Sequence, residues 1–159
     1  TDVADQGKDY LSSPVGLIMN GTCYVVGVCY TKKDSDYTHP ALVSLYQEWN
    51  VKKGVFESNN QGLQYTKNLK KEFKEAELDD FVRRIIAIPN TKNKHSRIVV
   101  QSRYVIENFA FLDDSEIIDN IEYELFLEHL TEYMKDKPTE PDDAADSIAG
   151  LSILAQKYM

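Results

Sequence analysis

The sequence predicts an α/β protein in which a mixed β-sheet is flanked by helices. Three observations point there. An apolar hairpin stands near the start, short β-branched runs follow it, and segments with apolar residues three and four apart alternate with those runs and then take over. With 159 residues, 42% of them apolar, the chain reads as one domain over 1–159 that needs no disulfide or metal to fold.

Taken in order, Thr1 to Tyr10 is short, polar and rich in Asp. Pro14 to Met19 and Thr22 to Tyr30 are β-branched and aromatic runs joined by Asn20-Gly21, the favoured dipeptide of a tight primed turn. His39-Pro40, then Leu42, Val43, Leu45, Tyr46 and Trp49, predicts a helix with proline near its first turn. Val51 to Glu57 is a short strand with a polar end. Gln61 to Glu75 carries Leu63, Leu69 and Phe73 among many lysines, a solvated helix. Phe81 to Pro89 is strand-like, with Ile85, Ile86 and Ile88 before the Pro89 stop. Asn93 to Asn108 is a helix with Ile98, Val99, Ser102, Val105, Ile106 and Phe109 on one stripe, and Ile121 to Met134 is another. After a polar link, Pro141 to Tyr158 is the last helix, with Pro141 at its first position and Thr139 or Glu140 as cap. Asp2 stands almost at the first residue, where an apolar strand would normally precede such a loop. The chain therefore reads as a domain of something longer.

Composition narrows the function. A net charge of -8 and a pI near 4.9 exclude a generic basic DNA-binding module, but not an enzyme that holds cations in an acidic pocket and touches a polyanion locally. Cys23 and Cys29 lie in an apolar run, which fits buried, reduced thiols of a cytoplasmic protein. No apolar run approaches a membrane span, and the start has no signal pattern. No serine occupies a nucleophile elbow, and clustered His and Cys ligands for zinc are lacking.

Three groups of acids stand out from the 26 in the chain. On a helix, Asp143 and Asp146 share a face, and like charges at that spacing destabilise the helix unless a cation lies between them. Asp142 precedes them at the start of a small, apolar helix. Glu57 ends an apolar strand and precedes Ser58-Asn59-Asn60-Gln61-Gly62, a turn at the carboxyl end of a strand, where α/β sheets place their sites. Asp2, with Asp5 and Asp9 nearby, lacks the spacing of a calcium loop. Hard carboxylate oxygens suit Mg²⁺ or Mn²⁺, and two such ions about 4 Å apart activate a water and stabilise the leaving oxygen in phosphodiester cleavage.

Four motifs then stand in order: Asp2-x-Ala4-x-x-Gly7-x-Asp9-Tyr10, Glu57-Ser58-Asn59-Asn60-x-Gly62, Asn93-Lys94-x-x-Arg97-Ile98 and Pro141-Asp142-Asp143-x-x-Asp146. Together they resemble the C-terminal nuclease domain of the large terminase subunit of tailed phages. The resemblance implies an RNase H-like fold and a metal-dependent endonuclease that cuts double-stranded, concatemeric phage DNA during genome packaging in the host cytoplasm. It places the catalytic acids at Asp2, Glu57 and Asp143, with Asp146 where related junction resolvases carry an additional acid and with Asp142 and Asp5 as further choices. Two Mg²⁺ or Mn²⁺ ions are implied as cofactors. The implied partners are DNA, the terminase ATPase, the small terminase subunit and the portal, and no membrane. The family usually has Gly-Gly where this chain has Gln61-Gly62. The motor's G-x-x-x-x-G-K-[ST] loop does not occur, so this chain does not drive packaging alone. A resolvase of the same fold and a non-catalytic docking module of the motor are the alternatives.

Positive charge is local. Lys67, Lys70, Lys71 and Lys74 form a helical stripe interleaved with glutamates, which reads as solvated surface. Lys92, Lys94, His95, Arg97 and Arg103 form a second group, of which Lys94, Arg97 and His95 are expected to reach DNA phosphates without reading sequence. The enzyme reading requires oxygens near positions 2, 57 and 143 to converge. With carboxylates on separate faces, or lysine ammonium groups filling the space between them, the reading fails.

Overall fold

The computed structural model describes residues 1–4, 9–59, 61–91 and 93–159. Strands β1 (Leu11–Met19) and β2 (Thr22–Thr31) form the expected antiparallel hairpin, with a bulge between Val15 and Gly16. Asn20 and Gly21 adopt φ of 52° and 78°, the left-handed conformation a primed turn requires. Strand β5 (Phe109–Phe111) runs parallel along the other edge of β2. Strands β3 (Gly54–Glu57) and β4 (Ile85–Ile88) form a separate parallel pair.

Thr1 and Asp2 stitch the two sheets together. Asp2 N donates to Ser12 O at 2.9 Å and Ser12 N donates to Asp2 O at 3.0 Å. On the other side Thr1 N donates to Val55 O at 2.6 Å, and Glu57 N donates to Thr1 O at 3.1 Å. Asp2 and Glu57 are thereby carried on neighbouring extended segments.

Helix α1 (Ser35–Glu48) begins earlier than the His39-Pro40 pair suggests, because the Asp34 carboxylate caps it by accepting from Asp36 N at 3.1 Å. Pro40 therefore lies inside the helix. Helix α2 (Gly62–Glu75) buries Gly62, Thr66, Leu69 and Phe73, three or four apart, and turns Leu63 to solvent. The expected strand over 81–89 divides. Its first part belongs to α3 (Asp79–Arg84), and only Ile85–Ile88 is extended. Phe81 and Ile85 enter the same core, so the change from helix to strand leaves the apolar run unbroken. Helix α4 (Lys94–Asn108) is capped by Asn93, whose side chain accepts from Ser96 N at 2.9 Å. Phe109 leaves that helix to begin β5, a strand too short to show a period. Helix α5 (Ile121–Glu132) is followed by α6 (Asp143–Ala155). Pro141 precedes α6, and neither Thr139 nor Glu140 caps it. Asp142 holds the cap position but makes no side-chain cap bond.

The twofold period of β2 sorts its side chains to two cores. Cys29 packs with Leu42 and Tyr46 of α1, Phe56 of β3, and Leu69 and Phe73 of α2. Val28 and Tyr30 pack on the other face with Tyr123 and Phe126 of α5 and Ala144 and Ile148 of α6. Each large apolar side chain buried here contributes roughly 1.5–3 kcal/mol. Ile98 of α4 packs on Ala145 and Ala149, which joins α4 to α6. The small residues of α6 let it lie close to β1, where Ser147 Oγ and Ser12 Oγ are 2.7 Å apart. Cys23 and Cys29 are buried and unpaired, as expected. Among the described residues, no helix is long and apolar enough to cross a membrane.

Candidate metal centre

Glu57 stands at the carboxyl end of β3, where the chain turns sharply into α2. Gly62 is required there, since a Cβ would lie 1.9 Å from Glu57 O. Both Glu57 oxygens are held by amides: Asn59 Nδ2 donates to Oε1 at 2.9 Å and Asn90 Nδ2 donates to Oε2 at 3.3 Å. Asn90 N in turn donates to Asn59 Oδ1 at 3.1 Å. Asn90 was not singled out from the sequence. Its position directly after Pro89, at the end of the strand paired with β3, is the signal that would have found it.

Asp2, Glu57 and Asp146 each place one carboxylate oxygen within 4.8 Å of the other two. Asp143, one turn before Asp146, lines a cleft of about 220 Å³ with Asp2, Asp9, Glu57, Asn59 and Lys94, whereas the buried Asp146 does not line it. Asp143 Oδ2 accepts from Tyr10 N at 3.1 Å. The acids expected from positions near 2, 57 and 143 thus converge, with Asp146 rather than Asp143 completing the tightest group. Asp5 and Lys92 lie outside the described residues.

Lys94 and Arg97, one turn apart on α4, face Asp143 and Asp146, one turn apart on α6. Lys94 Nζ lies 2.7 Å from Asp142 Oδ1, 3.1 Å from Asp2 Oδ2, 3.5 Å from Asp143 Oδ1 and 3.8 Å from Asp146 Oδ2. Arg97 Nε donates to Asp146 Oδ1 at 2.8 Å, Arg97 Nη2 donates to both Asp146 oxygens, and Nη2 lies 3.6 Å from Glu57 Oε2. Both cations point into the acid cluster, beside the place where they are expected to meet phosphate. His95 turns away to Tyr133, with Nδ1 2.6 Å from the hydroxyl. An ammonium between the acids is the arrangement set out above as counting against a metal centre. It leaves the charge unbalanced, however. Five carboxyl groups, those of Asp2, Glu57, Asp142, Asp143 and Asp146, face the side-chain cations Lys94 and Arg97, with the buried Thr1 amino group also near Asp2, Glu57 and Asp146.

The imbalance shows in the carboxyl groups. Burial, followed by the nearness of Asp146 and Asp143, pushes Asp2 up to about 7 against the pull of Lys94. Burial also raises Asp143 and Asp146, although the Tyr10 amide and the Arg97 guanidinium respectively oppose it. Burial pulls the Lys94 ammonium down, but Asp2, Asp142 and Asp146 outweigh it and hold the lysine above its ordinary range. Asp2 Oδ2 is buried, and the Lys94 ammonium lies 3.1 Å from it. An all-oxygen donor set with more carboxyl groups than cations fits a hard divalent cation.

Residues 1–109 match the family described as Terminase Bacteriophage T7, Ribonuclease H-like domain, more than half of the chain. The chain belongs to that family. Its mixed sheet flanked by helices is the RNase H-like fold, and membership gives it a nuclease role in phage DNA packaging in general terms, with DNA and the packaging motor as its sphere of partners. Nuclease domains of this fold use divalent metals as a rule. The match includes Asp2, Glu57, Lys94 and Arg97 and stops before α6, so the place of Asp142, Asp143 and Asp146 in the site rests on geometry alone. Neither a curated protein nor a solved structure matches the chain.

Proposed function

We propose that this terminase domain is a Mg²⁺- or Mn²⁺-dependent endonuclease that cuts double-stranded, concatemeric DNA during packaging. The observation that carries the reading is the convergence of Asp2, Glu57 and Asp146 from three separate parts of the chain, in a cluster with fewer cations than carboxylates. Asp2, Glu57 and the α6 acids would hold the metal, with Asp143 at the cleft and Asp142 at its edge. When bound, two such ions supply an activated water and compensate charge on the leaving oxygen. The chain's own contribution is preorganisation. Asn59 and Asn90 fix the Glu57 carboxylate, the Tyr10 amide fixes Asp143, and Arg97 fixes Asp146. With a net charge of -8, the domain binds DNA weakly by itself and loses that binding steeply with salt. The ATPase, small terminase subunit and portal then deliver DNA to it, in the host cytoplasm.

The test is plasmid incubation with Mn²⁺, with and without EDTA, alongside Asp143→Asn and Asp146→Asn. The wild type nicks and linearises the plasmid only with metal, and both variants lose cleavage while keeping the wild-type circular dichroism spectrum. Full nicking by both variants would remove the assignment. One observation favours the docking-module alternative: Lys94 and Arg97 already neutralise part of the cluster. A docking module shows no rise in melting temperature on adding Mn²⁺, whereas the nuclease does.

A further inference from the structure

The two cations at the centre are held differently. Arg97 is 8% exposed and forks onto Asp146, itself 1% exposed, with Glu57 behind it. Lys94 is 37% exposed, is the first residue of α4, and reaches the acids by the end of a long, flexible stem. Its helix keeps its Asn93 cap wherever that stem points. Among the described residues, Lys94 is also the lysine whose ammonium is shared by carboxylates from both Asp2 and α6. A single positive charge there leaves the cluster short. A divalent ion in the same space doubles the compensation and repels an ammonium only a few ångströms away.

We propose that Lys94 is a displaceable counter-cation, holding Asp2 to the α6 acids in the metal-free domain and yielding its place when a divalent ion binds. The inference rests on the metal-binding reading above. It makes Lys94 a positioning residue that sets the metal concentration at which the site loads, while Arg97 stays in place in both states. Freed from the acids, the Lys94 ammonium is at the cleft mouth, available to an incoming phosphate.

Titration of the domain with MnCl₂ by calorimetry, for the wild type, Lys94→Gln and Lys94→Arg, tests this directly. Lys94→Gln removes the competing charge, and we expect it to bind Mn²⁺ about tenfold more tightly than the wild type. Lys94→Arg keeps the charge and gains no affinity. In parallel, acylation of Lys94 by an amine-reactive ester, read by mass spectrometry, rises when Mn²⁺ is added to the wild type. Equal Mn²⁺ affinity for wild type and Lys94→Gln overturns the proposal while leaving the metal centre standing. Absence of Mn²⁺ binding in wild type and both variants removes the metal centre and this inference with it. Should Lys94→Gln be unfolded without metal, Mn²⁺-driven folding followed by circular dichroism supports the same competition, and failure to fold at saturating Mn²⁺ overturns it.

Discussion

Helices α2 and α4 carry similar basic residues at similar spacings and use them in opposite ways. On α2, Lys67, Lys71 and Lys74 are exposed, and among the described residues none of the helix's lysines forms an ion pair. They decorate the face opposite Leu69 and Phe73, which do the packing. On α4, Lys94 and Arg97 turn inward, because the first turn of α4 lies against the first turn of α6 and its acids. The contrast teaches that charge spacing marks a helix face, while the neighbour across from that face decides whether the charge is solvated or put to use.

The sharpest way to break this contrast is Arg97→Met. Removing the partner of buried Asp146 costs about 3–5 kcal/mol in metal-free protein, measured by denaturant unfolding. A loss below about 1 kcal/mol would put Arg97 in the same class as the α2 lysines. Next in size is the response to pH. Asp2 is raised from 3.8 to about 7, so the folded state favours its neutral form. That contribution to stability is complete below the ordinary carboxylate range and is lost as pH rises through about 7. Burial lowers the Thr1 ammonium to about 6, which acts in the opposite sense over the same range, so Asp2→Asn isolates the carboxyl. The metal-free wild type melts further below that variant at about pH 8 than at about pH 5, and saturating Mn²⁺ raises the wild-type melting temperature most at about pH 8. Scanning calorimetry across that range, with and without Mn²⁺, reads both. Asn90→Ala frees one Glu57 oxygen and lowers Mn²⁺ affinity about tenfold while leaving the fold intact, measured by calorimetry and circular dichroism. Smallest is Lys67→Glu combined with Lys71→Glu, which changes stability by less than about 0.5 kcal/mol and leaves Mn²⁺ binding untouched.

Much of this architecture is legible in the residues. The Asn20-Gly21 turn, the packing of α2 through Leu69 and Phe73, and the three acid groups follow from local patterns that the tertiary structure keeps. Helix α5 differs: Ile121 and Met134, which bound the expected helix, are exposed, and Tyr123 and Phe126 are the residues it buries. The misread places are those where a neighbour overrides local signal. Phe81 reads as strand because its apolar character continues into Ile85, yet it sits on α3, and the continuity reflects a shared core. Pro141 reads as a helix start, but α6 begins after it. Asp142, at the cap position, directs its carboxylate to Lys94 instead of to its own helix. The inward aim of Lys94 and Arg97 was illegible for the same reason: only packing of Ile98 on Ala145 and Ala149 brings the two helix starts together. The resemblance puts Asp143 ahead of Asp146, and a spacing of three does not itself say which of the two acids lies nearer Glu57.

The stitch made by Thr1 and Asp2 has a practical outcome. Glu57 belongs to one sheet, and α6 rests against the other. The amide protons of Ser12 and Glu57 close the bonds that Asp2 and Thr1 make to either side. Their deuterium exchange rates therefore gauge whether the two halves of the centre are aligned, in protein that has met neither metal nor DNA. Partial opening along this line would silence the centre while both sheets kept their own internal bonding, so early exchange at these two amides is the first sign that a preparation has lost competence.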